Sequence, residues 1–107
     1  MRIELKSGTG LKTLSLSEDV LISTVNDVKP ELIKALKTKK KLHIDFSEIT
    51  DCDTAGAQLL HAFILEVVRS VPNVVLLGIS PVVYSAIDRA ALSFEEWPVV
   101  GEEVVRG

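Results

Sequence analysis

Asp51, Asp53 and Thr54 stand together in the segment Asp51-Cys52-Asp53-Thr54-Ala55-Gly56, just ahead of a run whose apolar residues have helical spacing. A carboxylate or hydroxyl at that point accepts a hydrogen bond from a free N–H of the first helical turn. One such residue would be enough for capping, yet acid and hydroxyl follow one another here. The small residues Ala55, Gly56 and Ala57 come next. A glycine inside a helix costs about 1 kcal/mol relative to alanine. What it offers in return is close approach of another surface to the backbone. A threonine hydroxyl at a helix start is also a place where an added phosphate would meet backbone N–H groups, while Asp51 and Asp53 would repel it. The segment therefore reads as a point of control centred on Thr54.

Other chemistry is sparse. His43 falls in a strand-like stretch and His61 in a helix-like one, without metal-ligand spacing, so both read as structural or surface residues. Cys52 is the only cysteine and reads as a small half-buried thiol without a reactive setting. Gly8 and Gly10 lack the strand and helix that would make a phosphate loop of them. Lys37, Lys39, Lys40 and Lys41 suit the C-terminal end of a helix dipole and read as a solvated cap. Asp45, Asp51 and Asp53 raise the idea of a magnesium pocket or phosphoaspartate receiver. A receiver needs an acidic pair after its first strand and a lysine after a late one. Here Glu4 is alone, and Ser80 and Pro81 stand at the late position. No catalytic group, metal or cofactor is assigned.

The elements that must hold residues 51–56 follow from periodicity. Ile3 and Leu5, then Leu11, Leu14 and Leu16, alternate around Ser7-Gly8-Thr9-Gly10 and predict a short hairpin or meander. Val25, Val28, Leu32, Ala35 and Leu36 predict a helix ending near Lys37, capped by Asn26 or Asp27, with Pro30 in its first turn. Leu42, Ile44 and Phe46 predict a strand, and residues 47–53 a connector. Leu60, Phe63, Ile64, Val67, Val68 and Val71 predict a second helix stopped by Pro72. Residues 73–77 read as a fully buried strand. Ser80 and Pro81 read as N-cap and first residue of a third helix that buries Val83, Ile87, Ala90 and Ala91. Residues 94–107, with Trp97, Pro98 and Gly101, give only a faint signal of an edge strand. The order β-β-α-β-α-β-α predicts an α/β fold with a mixed, mostly parallel sheet of four to five strands.

Length and composition set the frame. One domain is expected over residues 1–107, with its core in residues 2–94 and a tail in 95–107. The net charge of −3 provides no basic footprint for nucleic acid. A lone cysteine permits no intrachain disulfide and suits a reducing cytosol. No window approaches a membrane span, and the N-terminal stretch has no apolar run suited to a signal peptide. A soluble, cytoplasmic protein is the expectation.

The run Ile44-Asp45-Phe46-Ser47-Glu48-Ile49-Thr50-Asp51-Cys52-Asp53-Thr54-Ala55-Gly56-Ala57-Gln58-Leu59-Leu60 resembles the signature of STAS domains, the anti-sigma-factor antagonist family. That signature is a strand ending in an Asp-hydrophobic-Ser-like segment, a short link, then Asp-Ser/Thr-x-Gly opening a helix. Gly78-Ile79-Ser80-Pro81-Val82-Val83 and Ala90-Ala91-Leu92 resemble the same family's fourth strand and third helix. The resemblance implies a non-enzymatic, bacterial signal-transduction module. It implies Thr54 as the residue phosphorylated by a kinase-type anti-sigma factor, with Asp53 as the motif acid and Gly56 as its glycine. In such proteins the unphosphorylated form binds the kinase, the sigma factor is released, and transcription is regulated. Asp51, Asp53, Thr54, Ala55, Gly56 and Gln58 are the implied partner contacts. A second form of the family is a constitutive subunit of a lipid-transport ABC complex, holding an ATPase, or a member of a sensory or chemotaxis-operon complex. There Thr54 is contact alone. Two departures stand out. Ser17-Glu18-Asp19 lacks a glycine that the family often carries after its second strand. The family's C-terminal helix looks shortened or lost after Phe94. Oligomeric state is left open.

Overall fold

A computed structural model describes residues 2–105. Its elements are β1 (Arg2–Gly8), β2 (Leu11–Val20), α1 (Val25–Leu36), β3 (Lys41–Cys52), α2 (Thr54–Ser70), β4 (Asn73–Ile79), α3 (Pro81–Arg89) and β5 (Glu103–Val105). The strands form one sheet in the order β1-β2-β3-β4-β5. The β2–β3 and β3–β4 pairs are parallel, and the flanking β1–β2 and β4–β5 pairs are antiparallel. This is the expected mixed α/β sheet with three helices.

The core explains the order. Leu14, Leu16, Leu42, Ile44, Phe46 and Leu76 are fully buried on one face of the sheet. The helices cover that face with Val28, Leu32 and Ala35 from α1, Leu60, Ile64 and Val67 from α2, and Val83, Ala86 and Ile87 from α3. The intervening Thr13, Ser15, His43 and Asp45 are only half-buried. Every second residue from Leu14 to Leu16 in β2 and from Leu42 to Phe46 in β3 thus meets the helices, which is why the alternation there is visible in sequence.

β3 runs to Cys52, six residues past the expected end at Phe46, so most of the expected connector is strand. Beyond Phe46, which pairs with Ile79 of β4, it continues along β2 alone. The register slips between Ser15 and Ser17 and again between Glu18 and Asp19. As a result Phe46, Ile49 and Cys52 are buried while Ser47, Glu48, Thr50 and Asp51 are exposed. The bulges replace a two-residue period by a three-residue one, which hides the strand from periodicity. β2 lengthens in the same way, to Val20. Glu18 takes φ 67 here, a backbone region that favours glycine, at the place where the family pattern often has one.

α1 starts at Val25 with Thr24 as cap residue, not Asn26 or Asp27. Thr24 Oγ1 is engaged with the Leu21 backbone, donating to its carbonyl and accepting from its N–H, both at 3.0 Å. The earlier start makes Pro30 an interior residue rather than a first-turn one. Asn26 and Pro30 are both exposed, so water can reach the carbonyl that proline leaves without a donor. Ser80 does stand at the N-cap of α3 with Pro81 following, but its hydroxyl makes no cap bond. One donor it could meet, the N–H of Val83, goes instead to Ser80's own carbonyl at 3.1 Å. Leu77 of β4 is 42% exposed, so that strand is not buried throughout.

The stretch after Phe94 belongs to the core. Trp97 is buried, and its Nε1–H donates to His61 Nδ1 at 3.0 Å. Its ring meets Phe94 and Phe46 edge-on at 4.8 and 6.2 Å. His61 is therefore a structural acceptor. Lys41, expected in a solvated cap, pairs with Glu103 of β5 at 2.9 Å.

Ala91 is exposed and holds φ 57 just after α3. Its N–H reaches Asp88 O at 3.0 Å and Leu92 N–H reaches Ile87 O at 3.1 Å, the two bonds of a Schellman ending. An alanine pays a steric cost in that conformation that glycine does not. Ala91→Gly is expected to stabilise the fold by about 0.5–1 kcal/mol after the added chain entropy of glycine is discounted. Urea unfolding checks this, read as a raised midpoint at unchanged slope.

Candidate functional site

Residues 51–56 lie where β3 ends and α2 begins, beside the end of β2. Asp53 is the N-cap of α2, in extended conformation. Its Oδ1 accepts from Gly56 N at 2.8 Å. Its Oδ2 accepts from Ile22 N, also at 2.8 Å, in the turn between β2 and α1. One carboxylate thus ties the start of α2 to the loop after β2. The Asp53 backbone adds two further ties, donating to Val20 O at 3.3 Å and accepting from Ala57 N at 2.8 Å. The acid that sequence alone assigns to capping has a second, long-range bond.

Gly56 is buried, and its role differs from the expected partner contact. A Cβ placed on it would lie 2.0 Å from Val20 O, 2.9 Å from Val20 C and 3.1 Å from Cys52 Sγ. The surface that comes close to this glycine is the end of β2 in the same chain. Ala57 is likewise buried. Thr54, Asp51 and Gln58 are exposed, and Ala55 and Asp53 are half-buried. Thr54 is the first residue of α2, so its hydroxyl stands at a helix N-terminus, without a side-chain partner among the described residues.

Asp45 and Asp51 do not converge on Asp53 to hold a cation. Asp45 Oδ1 accepts from Ser47 N at 2.9 Å and Asp51 Oδ1 accepts from Cys52 N at 2.9 Å, each folded onto its own backbone. Among the described residues no group of three or more potential ligands stands together. Cys52 is 2% exposed, more deeply buried than expected. Burial first, then the Asp53 and Asp51 carboxylates, push its thiol from 9.0 up to about 11, with Arg89 pulling the other way. Arg89 Nη2 also reaches Cys52 O, at a long 3.4 Å. A hollow lined by Asp51, Cys52, Pro81, Val82, Ser85 and Arg89 runs from the site onto α3. Another hollow, lined by Val68, Arg69, Ser70, Val104 and Val105, lies at the far end of α2 and is unconnected with this chemistry.

A family model described as STAS domain matches residues 2–103. The chain belongs to the STAS-domain family. Among solved structures, this STAS domain is similar to one titled as the anti-sigma factor antagonist SpoIIAA in its unphosphorylated form, with a TM-score of 0.63. The match covers 94% of this chain and 89% of the other at 17% identity, a likeness of fold. No curated protein matches the sequence. No helix among the described residues of the STAS domain is long and apolar enough to cross a membrane.

Ile22 is the residue that sequence reasoning missed. Nothing in the local pattern marks a loop isoleucine 31 positions from Asp53 as its hydrogen-bond partner. Exposed though it is, its backbone belongs to the site.

Two outcomes test this geometry. Gly56→Ala, which in an ordinary helix gains about 1 kcal/mol, should here destabilise by at least about 2 kcal/mol, since the obstacle is backbone. Chemical denaturation reads the sign directly. Cys52 should resist iodoacetamide at about pH 8 in the folded protein and react readily in denaturant. Because the folded thiol titrates higher than the unfolded one, ionisation favours unfolding. Stability should hold below pH 9.0 and decline as pH rises towards about 11, a loss that Cys52→Ala removes.

Proposed function

We propose that this STAS domain is a non-enzymatic interaction module of the anti-sigma-factor-antagonist type, switched by phosphorylation of Thr54. The carrying observation is the exposed Thr54 hydroxyl on the first turn of α2, in a frame set by Asp53. The partner is a kinase-type anti-sigma factor or an equivalent ATPase that brings its own ATP and magnesium. Asp51, Thr54, Ala55 and Gln58 form the contact surface, while Asp53 and Gly56 shape it from within. The cytoplasm is the compartment this reading requires.

A phosphate on Thr54 adds roughly −1.5 to −2 charges beside Asp51 and Asp53. At most helix starts it would be drawn onto the free N–H groups. Here the Asp53 carboxylate already holds the Gly56 N–H and, together with Asp51, opposes the added charge. The phosphate is left facing outward, so it alters the surface a partner meets without a change of fold. The reading with a constitutive ATPase-holding subunit uses the same surface, with Thr54 unmodified.

Intact-mass analysis of the protein from its native host distinguishes the two. A phosphate that disappears in Thr54→Ala supports the switch. A stably co-purifying ATPase and an unmodified chain support the constitutive subunit. With the kinase that modifies Thr54 in hand, Thr54→Asp should weaken binding tenfold or more. Equal binding by Thr54→Asp and wild type would sink the switch.

A further inference from the structure

We infer that Ile22 is the apolar anchor through which the partner of the Thr54 surface is held. The inference rests on the reading of that surface as a partner contact, and adds a residue on another loop. Ile22 is 71% exposed, the most exposed of the large apolar side chains among the described residues. A single exposed isoleucine needs no special explanation in itself. What sets this one apart is how firmly its backbone is placed. The turn carrying it is closed by Thr24 N to Leu21 O at 2.8 Å and Val25 N to Leu21 O at 3.0 Å. It is cross-braced by Thr24 Oγ1, which both donates to and accepts from the Leu21 backbone at 3.0 Å. Ile22 N itself is fastened to Asp53 Oδ2.

Two consequences follow. An apolar side chain on a braced turn loses little backbone freedom on binding, so more of its desolvation is retained as affinity. Anchors of this kind, buried by the partner beside polar contacts, dominate interface energetics. Furthermore, Asp53 joins this turn to α2, so Ile22 is set relative to Thr54 by one residue's two carboxylate oxygens. The partner chemistry that fits is a protein surface with an apolar socket next to the groove that takes the Thr54 hydroxyl.

The test uses the full chain and the purified kinase that phosphorylates Thr54. Ile22→Ala should weaken equilibrium binding tenfold or more, and Ile22→Leu should restore most of it. Ser23→Ala, next to it and also exposed, should bind as wild type does. Because the backbone N–H to Asp53 remains, thermal unfolding of all three should match wild type. If Ile22→Ala binds within twofold of wild type while Thr54→Asp does not bind, the anchor is wrong and the Thr54 surface stands. If neither substitution matters, the surface itself is misassigned. A lowered melting temperature in Ile22→Ala would make the residue structural and overturn the anchor.

Discussion

The close approach of Gly56 to the carbonyl of Val20 is the constraint on which the site depends. No side chain fits between them, and the nearest atoms are backbone. The start of α2 therefore sits directly on the end of β2. That contact is possible only because β2 and β3 both run long, in parallel, to the same edge of the sheet. Asp53 then exploits the proximity. Its carboxylate lies between two N–H groups 34 residues apart in the chain, Gly56 and Ile22, and satisfies both. A helix start with one donor met by Asp53 and an exposed loop held by the same group is a stiff construction, because each bond limits the freedom of the other.

This stiffness bears on function in a particular way. Of the N–H groups that a helix start leaves without an intrahelical partner, that of Gly56 is already occupied by the Asp53 side chain. Thr54 is then neither cap nor core. It is a hydroxyl on a rigid platform, with Asp51 and Gln58 also exposed nearby. Cys52, directly behind it, is sealed in and held protonated, so the only nucleophile of the segment accessible to a partner is the threonine.

The far side of the domain is tied down by a different device. Trp97 reaches back from the chain after α3 to His61 on α2, and Phe94 and Phe46 pack around its ring. The contact makes the segment leading to β5 an integral part of the core and gives β4 a short covering strand. Neither half of the pair could be foreseen from its own neighbourhood. A histidine on a helix and a tryptophan in a loop acquire meaning only when the fold brings their nitrogens to 3.0 Å.

The amphipathic periods of α2 and of the first half of β3 are local, so the sequence by itself determined the layered α/β architecture and the position of the Asp-Thr-x-Gly junction. It also determined that Asp53 and Thr54 open a helix, since capping chemistry is settled within a few residues. Register is not local. The slips between β2 and β3 that carry the strands to Val20 and Cys52 break the two-residue period that sequence reading relies on. For that reason the tail of β3 read as connector, and Gly56 read as a space for a partner when the chain fills it with its own β2. The pairing of Asp53 with Ile22 was decided by tertiary structure alone. A carboxylate has two oxygens, and only the fold says which distant N–H the second one meets.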